Sequence, residues 1–169
     1  MATREDDFAA WISARQSRLF RTAYLICGDR HTAEDLVQTA AAKLYLAWDR
    51  VSARGEVDAY MRRIIVNEHN SLWRRPWKRR EVAADQLPET AYADVPGDPL
   101  EADRLWAAVR DLPPRQRAVI VLRYYEDLSE AEIAAALDIS PGTVKSQASR
   151  AIASLRGRLG TAFDLEETA

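Results

Sequence analysis

Apolar side chains recur along this chain at the spacing of an α-helix, and no useful stretch shows the alternation of a strand. Phe8, Trp11, Ile12, Leu19, Phe20, Ala23 and Ile26 fall on one helical face. They predict an amphipathic helix over roughly 6–27, with Gly28 placed for a left-handed C-terminal cap. Thr32 reads as the N-cap of a second helix, and Glu34 and Asp35 in the next turn complement its dipole. Leu36, Val37, Ala40, Leu44, Trp48 and Val51 form the apolar stripe of that helix. It is expected to end near residue 49, where the polar, glycine-containing stretch 49–56 reads as a loop. A third helix turns Tyr60, Met61, Ile64 and Ile65 inward and reaches about Arg75, because Pro76 disfavours helix at the residue before it.

Residues 82–98 carry Pro88, Pro96 and Gly97 with little apolar period and read as a flexible linker. Asp98 and Pro99 pair as N-cap and first helical residue of a helix containing Leu100, Leu105, Val109 and Leu112. Pro113 and Pro114 end it, and "PRQRAVIVLRYYEDL" supplies another helix. The most specific pattern is "LSEAEIAAALDISPGTVKSQASRAIASLRGRL", residues 128–159. Ser129 and Glu132 have the spacing of a capping box, and Ile133 and Leu137 form the buried face of a short helix. "DIS" makes a turn, Ser140 caps the next helix, Pro141 takes its first position, and Val144, Ala148 and Ile152 face inward. Two helices joined by so short a turn form a helix-turn-helix. The chain is therefore expected to be all-α, with two small helical domains over 6–81 and 99–160 joined by the linker 82–98.

With 169 residues, two domains of roughly 70 residues each fit the length. Charge is unevenly spread. The formal net charge is −2, yet residues 81–103 hold seven acidic side chains and no Lys or Arg, leaving 24 basic against 19 acidic elsewhere. Two net-basic parts flank an acidic strip. "WRRPWKRR", residues 73–80, concentrates five cations beside two indoles. A polyanion could be gripped there while aromatic faces stack on bases, or the stretch could be a solvated helix end.

Other chemistry finds little support. Cys27 is the only cysteine, which excludes an internal disulfide and a thiolate-rich metal site, and it reads as a small buried hydrophobe. His31 and His69 lack metal-ligand spacing and a positioned nucleophile, so both are expected at the surface. No Gly-rich phosphate loop occurs, and neither an enzyme nor a cofactor is indicated. "MATREDDFAAW" has no apolar signal core, and no run of about 18 apolar residues occurs, so a cytoplasmic protein without membrane insertion is expected. On the second helix of the helix-turn-helix, Pro141, Thr143, Lys145, Ser146, Gln147, Ser149 and Arg150 lie towards the N-terminal half. That half reaches base edges and phosphates in the major groove.

"AEDLVQ" (33–38), then "YMRRIIVN…WRR", an acidic strip, and "LPPRQRAVIVLRYYEDLSEAEIAAALDISPGTVKSQASRA" together resemble the extracytoplasmic-function sigma factors of RNA polymerase, within the sigma-70 family. The wording of "VNEHNSLWRRPWKRRE" is most similar to the actinobacterial SigE-type subgroup. The resemblance spans about residues 6–160 and rests on two unrelated motifs in the right order. It implies a region 2 domain, a linker and a region 4 domain. It also implies that Glu34, Asp35, Leu36, Val37 and Gln38 lie on the helix that docks on the β′ clamp helices of core polymerase. Region 4 would meet the β flap and read the −35 element through Pro141, Thr143, Lys145, Ser146, Gln147 and Arg150.

The same resemblance assigns the −10 element to Asp49, Arg50 and Ser52 in the expected loop, to Arg62, Arg63 and Asn67 on the third helix, and to Arg74, Arg75, Trp77, Lys78, Arg79 and Arg80. Melting needs one strand held unpaired, and a basic track with aromatic faces replaces lost base stacking at about 1–3 kcal/mol per base. Trp73 stands where the family commonly has a core leucine, so it fits burial as well as DNA. Ser71 replaces a frequent Asp and Gln147 a frequent Arg, so −35 specificity does not transfer directly. Promoter DNA, core polymerase and the family's usual anti-sigma factor are the implied partners. The alternative is an autonomous helix-turn-helix regulator binding operators as a dimer. No heptad or separate dimerisation helix supports it.

Overall fold

The computed structural model describes residues 1–73 and 99–160, and among these the side chains of all but 72, 73 and 99–103. Every regular element among the described residues is helical, and the helices gather into two compact units. In the first unit α1 spans Arg4–Cys27, α2 Arg30–Ala53 and α3 Val57–Trp73. In the second, α4 spans Pro99–Arg110, α5 Pro114–Ile120, α6 Glu130–Leu137 and α7 Pro141–Leu159. No described helix is long and apolar enough to cross a membrane.

The first unit is a three-helix core of Leu19, Ala23, Ile26, Leu36, Ala40, Leu44, Trp48, Val51, Met61, Ile65 and Val66, all buried. These are the stripes the periodicity predicts, with Val66 added. Phe8, Trp11, Ile12, Phe20, Val37 and Tyr60, which the periodicity also turns inward, are only half-buried. Gly28 takes the left-handed conformation at φ 76° and its N–H closes α1 on the Tyr24 carbonyl at 2.7 Å, as the sequence predicts. The start of α1 adds a capping box that periodicity does not reveal. The Asp6 N–H donates to Thr3 Oγ1 at 3.2 Å while Asp6 Oδ2 accepts from the Thr3 N–H at 2.9 Å and its hydroxyl at 2.8 Å. The Thr3 backbone bond, followed by its hydroxyl, holds the Asp6 carboxyl below its usual range.

A depressed folded pKa makes this contribution present above the unfolded carboxylate range, and it is lost as pH falls through the folded value. Asp6→Asn should therefore raise amide exchange across Thr3–Asp7 at neutral pH. The difference from wild type should disappear as acidification carries Asp6 through its depressed folded value. A difference that persists in acid would mean that charge on Asp6 is immaterial to the cap.

Four sequence expectations change. The N-cap of α2 is Asp29, whose Oδ2 accepts the Thr32 N–H at 2.9 Å and its hydroxyl at 2.5 Å, so Thr32 is a buried residue inside the first turn. Glu34 and Asp35 consequently lie past the end of the dipole's reach. The α2 helix also runs through Ala53, because Val51 still buries on its stripe. The loop shrinks to a turn in which Gly55 adopts φ 69°. His69 is 2% exposed, since it continues the Met61–Ile65 row one turn further into the core. Cys27 is half-buried, its Sγ donating to the Asp29 carbonyl at 3.2 Å.

In the second unit Trp106, Val109, Leu112, Leu122, Ile133, Val144, Ala148, Ile152 and Leu155 pack together, and the Trp106 ring meets Tyr125 edge-on at 6.2 Å. The helix predicted over "PRQRAVIVLRYYEDL" forms, but it widens to a π turn over Val121–Tyr125. The Glu126 N–H reaches back five residues to Val121. Five consecutive residues, Ala118 to Leu122, are buried there, so no exposed face marks the change of period.

Candidate nucleic-acid interface

Among the residues implied for polymerase docking, α2 separates two kinds. Glu34, Asp35 and Gln38 are exposed, with Glu34 paired to Arg30 at 3.4 Å. Leu36 is 2% exposed and Val37 half-buried. Leu36 packs α2 against its neighbours. At 100° per residue, Asp35, Gln38, Ala42 and Leu46 share one face about 80° wide. Leu46 is 82% exposed, an apolar tip on a polar stripe that sequence reading passes over.

Further along α2, Asp49, Arg50 and Ser52 sit on the helix itself rather than in a loop. Asp49 is held by Arg4 of α1 at 3.2 Å, and the Arg4 guanidinium lies 4.7 Å over the Tyr45 ring. Arg50 lies over the Tyr60 ring of α3 at 5.8 Å. Lys43, Leu46, Ala47, Asp49, Arg50 and Tyr60 line an open cleft of about 470 Å³. Lys43 in turn pairs with Glu68. On α3, Arg63 and Asn67 are exposed one turn apart and Arg62 is half-buried. The structure thus brings together Asp49, Arg50 and the exposed side of α3. Arg74, Arg75, Trp77, Lys78, Arg79 and Arg80 lie outside the described residues, as do Pro76, the linker and the Asp98 cap, and the side chain of Trp73.

The helix-turn-helix is built as its sequence dictates. The Ser129 N–H donates to Glu132 Oε2 at 2.7 Å and the Glu132 N–H to Ser129 Oγ at 3.2 Å, so the predicted box is complete. Asp138 takes the left-handed conformation at φ 54°, and Ser140 Oγ accepts the Thr143 N–H at 3.1 Å to start α7 behind Pro141. Val144, Ala148, Ala151, Ile152 and Leu155 anchor α7 to the core. The opposite side exposes Pro141, Lys145, Ser146, Ser149 and Arg150, with Thr143 and Gln147 half-buried. Two hydroxyls there are already engaged: Thr143 Oγ1 with Ser140 Oγ at 2.9 Å, and Ser146 Oγ donating to the Thr143 carbonyl at 3.1 Å. Lys145, Gln147 and Arg150 carry the longer polar side chains of this surface. A basic, polar helix face fixed behind a three-residue turn is the form that enters a major groove.

Comparison with known proteins finds the same two parts. Residues 11–79 match the model of sigma-70 region 2, and residues 102–155 match that of sigma-70 region 4. The chain is 39% identical over 163 residues to an RNA polymerase sigma-E factor of Streptomyces coelicolor, covering 96% of this chain and 91% of that one. It is 32% identical to the extracytoplasmic-function sigma factor SigE of Mycolicibacterium smegmatis, over 84% of this chain and 57% of that one. Among solved structures, the sigma factor RpoE of Bartonella quintana, crystallised with the anti-sigma factor NepR, matches at a TM-score of 0.73 and 25% identity. That match covers 93% of this chain and 99% of the other.

Proposed function

The chain belongs to the extracytoplasmic-function group of the sigma-70 family of RNA polymerase sigma factors, and on that premise we propose how its residues divide the work of transcription initiation. Both family regions are present in order, whereas an autonomous operator-binding regulator would account for the second alone. Residues 6–81 act as region 2, 82–98 as linker and 99–160 as region 4. Glu34, Asp35 and Gln38 contact the β′ clamp helices of core polymerase, with Leu36 and Val37 holding their helix in place. Asp49, Arg50, Ser52, Arg62, Arg63, Asn67 and the basic residues Arg74–Arg80 with Trp77 face the −10 element. Region 4 meets the β flap, and α7 reads the −35 element. The protein works in the cytoplasm as a specificity subunit with no chemistry or cofactor of its own, and an anti-sigma factor is its natural antagonist.

The observation that carries the reading is the capped helix-turn-helix whose second helix, α7, carries Lys145, Gln147 and Arg150 outside its buried Val144–Ala148–Ile152 row. Gln can pair bidentately with adenine, whereas Arg pairs with guanine. With core polymerase on a library randomised at the −35 element, Gln147→Arg should move preference at one position, with about 1–3 kcal/mol of discrimination at stake there. A uniform change over all positions would remove Gln147 from base readout. Failure of the wild-type chain to direct any promoter-specific transcript would reject the whole assignment.

A further inference from the structure

The first turn of α6 holds two glutamates with different employment. Glu132 completes the capping box. Glu130 takes no part in it; its carboxylate stands between Arg123 of the π turn, 3.9 Å from Oε1, and Lys145 of α7, 4.0 Å from Oε2. Glu130 is a third exposed, Arg123 is less so, and the Lys145 side chain is 71% exposed. In a helix-turn-helix the first helix crosses the phosphate backbone while the second enters the groove. A carboxylate at the start of the first helix is therefore an anion placed against a polyanion, where any neutral residue would bind more tightly.

We propose that Glu130 is a positioning residue that sets the specificity of −35 recognition by restraining Lys145. This rests on the reading of α7 as the −35 helix. Lysine is a compact point charge on a flexible stem, and left alone it seeks the nearest phosphate, which carries no sequence information. At 4.0 Å the Lys145 ammonium is attracted to Glu130 without making a hydrogen bond to it, so all three N–H donors remain available to base edges. The carboxylate thus narrows where the ammonium goes and offsets part of its pull on phosphate. Arg123 on the other oxygen keeps Glu130 from following Lys145 outward. The trio carries a net charge of +1, so approach to DNA is still favoured.

The test uses the full chain bound to core polymerase, with two duplex probes: a −35 element selected by the wild type, and its scrambled sequence. Glu130→Gln should bind the scrambled duplex several-fold more tightly at low salt. The slope of log affinity against log salt should steepen by about one phosphate contact, and the ratio of selected to scrambled binding should fall. Glu130→Asp, which keeps the charge, should restore most of the ratio, whereas a purely structural role would follow the melting temperature instead. Lys145→Met should weaken binding to the selected duplex, and adding Glu130→Gln to it should tighten both duplexes alike, through the lost repulsion, without changing their ratio further. Unchanged slope and ratio in Glu130→Gln would overturn the proposal while leaving the −35 reading intact. Loss of preference for cytosine at one position would also overturn it, since Glu130 would then be reading a base itself. If Lys145→Met binds the selected duplex as well as wild type does, the reading of α7 beneath the proposal fails with it.

Discussion

Trp48→Ala should destabilise the first helical unit by about 3–5 kcal/mol and abolish promoter-directed transcription with it. The Trp48 side chain is 7% exposed and sits where α1 crosses α2. Its ring meets Phe8 edge-on at 5.4 Å and Trp11 at 6.2 Å, while Phe8 also packs on Tyr45 at 5.1 Å. Phe8 and Trp11 are themselves only half-buried, so Trp48 is the part of this cluster that closes it against water. Removing the indole leaves a cavity and loosens the first half of α1, whose other ties are the contacts of Phe8 and Arg4 with Tyr45 and exposed ion pairs such as Arg4 to Asp49 and Arg15 to Asp58. Such pairs contribute about 0–1 kcal/mol each and cannot substitute for the ring. For a unit this small, a 3 kcal/mol loss lowers the melting temperature by roughly 12 °C or more. Leu46→Ala, two residues away and 82% exposed, is the contrasting variant and should change stability by no more than about 0.5 kcal/mol. Similar melting of the two variants would show that the aromatic cluster contributes little to the packing of α1.

The helix-turn-helix was legible residue by residue because each of its signals is local. A capping box, a turn and a proline at the first helical position constrain the backbone whatever packs around them. The first unit was legible as faces but not as ends. Asp29 and Thr32 are both good caps three residues apart; the choice goes to Asp29 because burial of Thr32 places it inside the helix. The α2 helix outlasts its expected stop because Val51 finds the core, a tertiary reward that a polar stretch conceals. His69 was misplaced for a related reason. Residue type suggested a surface, but its position on the Met61–Ile65 row decided burial. The candidate surface was legible in part. Family wording picks out residues 34–38 as a block, while the helix divides that block into exposed Asp35 and Gln38 and buried Leu36. The restraint of Lys145 by Glu130 pairs residues fifteen positions apart and left no sequence signal of its own.

That division of residues 34–38 yields the sharpest functional expectation. Asp35→Arg combined with Gln38→Arg should leave the fold intact and lower affinity for core polymerase at least thirty-fold. Both side chains are exposed and lie about one turn apart on α2, so two arginines create no cavity and bury no charge in the free protein. On the proposed docking face the same change removes an acid and a hydrogen-bonding amide and presents two cations. Truncating one partner of a buried interfacial charge pair typically costs about 2–5 kcal/mol, and the reversal adds repulsion against whatever cation Asp35 meets. Competition for core polymerase, read beside the melting curve, separates the causes. Leu36→Ala supplies the opposite pattern: with its side chain 2% exposed, it should lose about 2–5 kcal/mol of stability, and binding should fall only in step with folding. If the double arginine variant assembles with core polymerase as the wild type does, the exposed side of α2 is not the docking face. The open cleft between α2 and α3 at Leu46 and Tyr60 would then be the next surface of this unit to test.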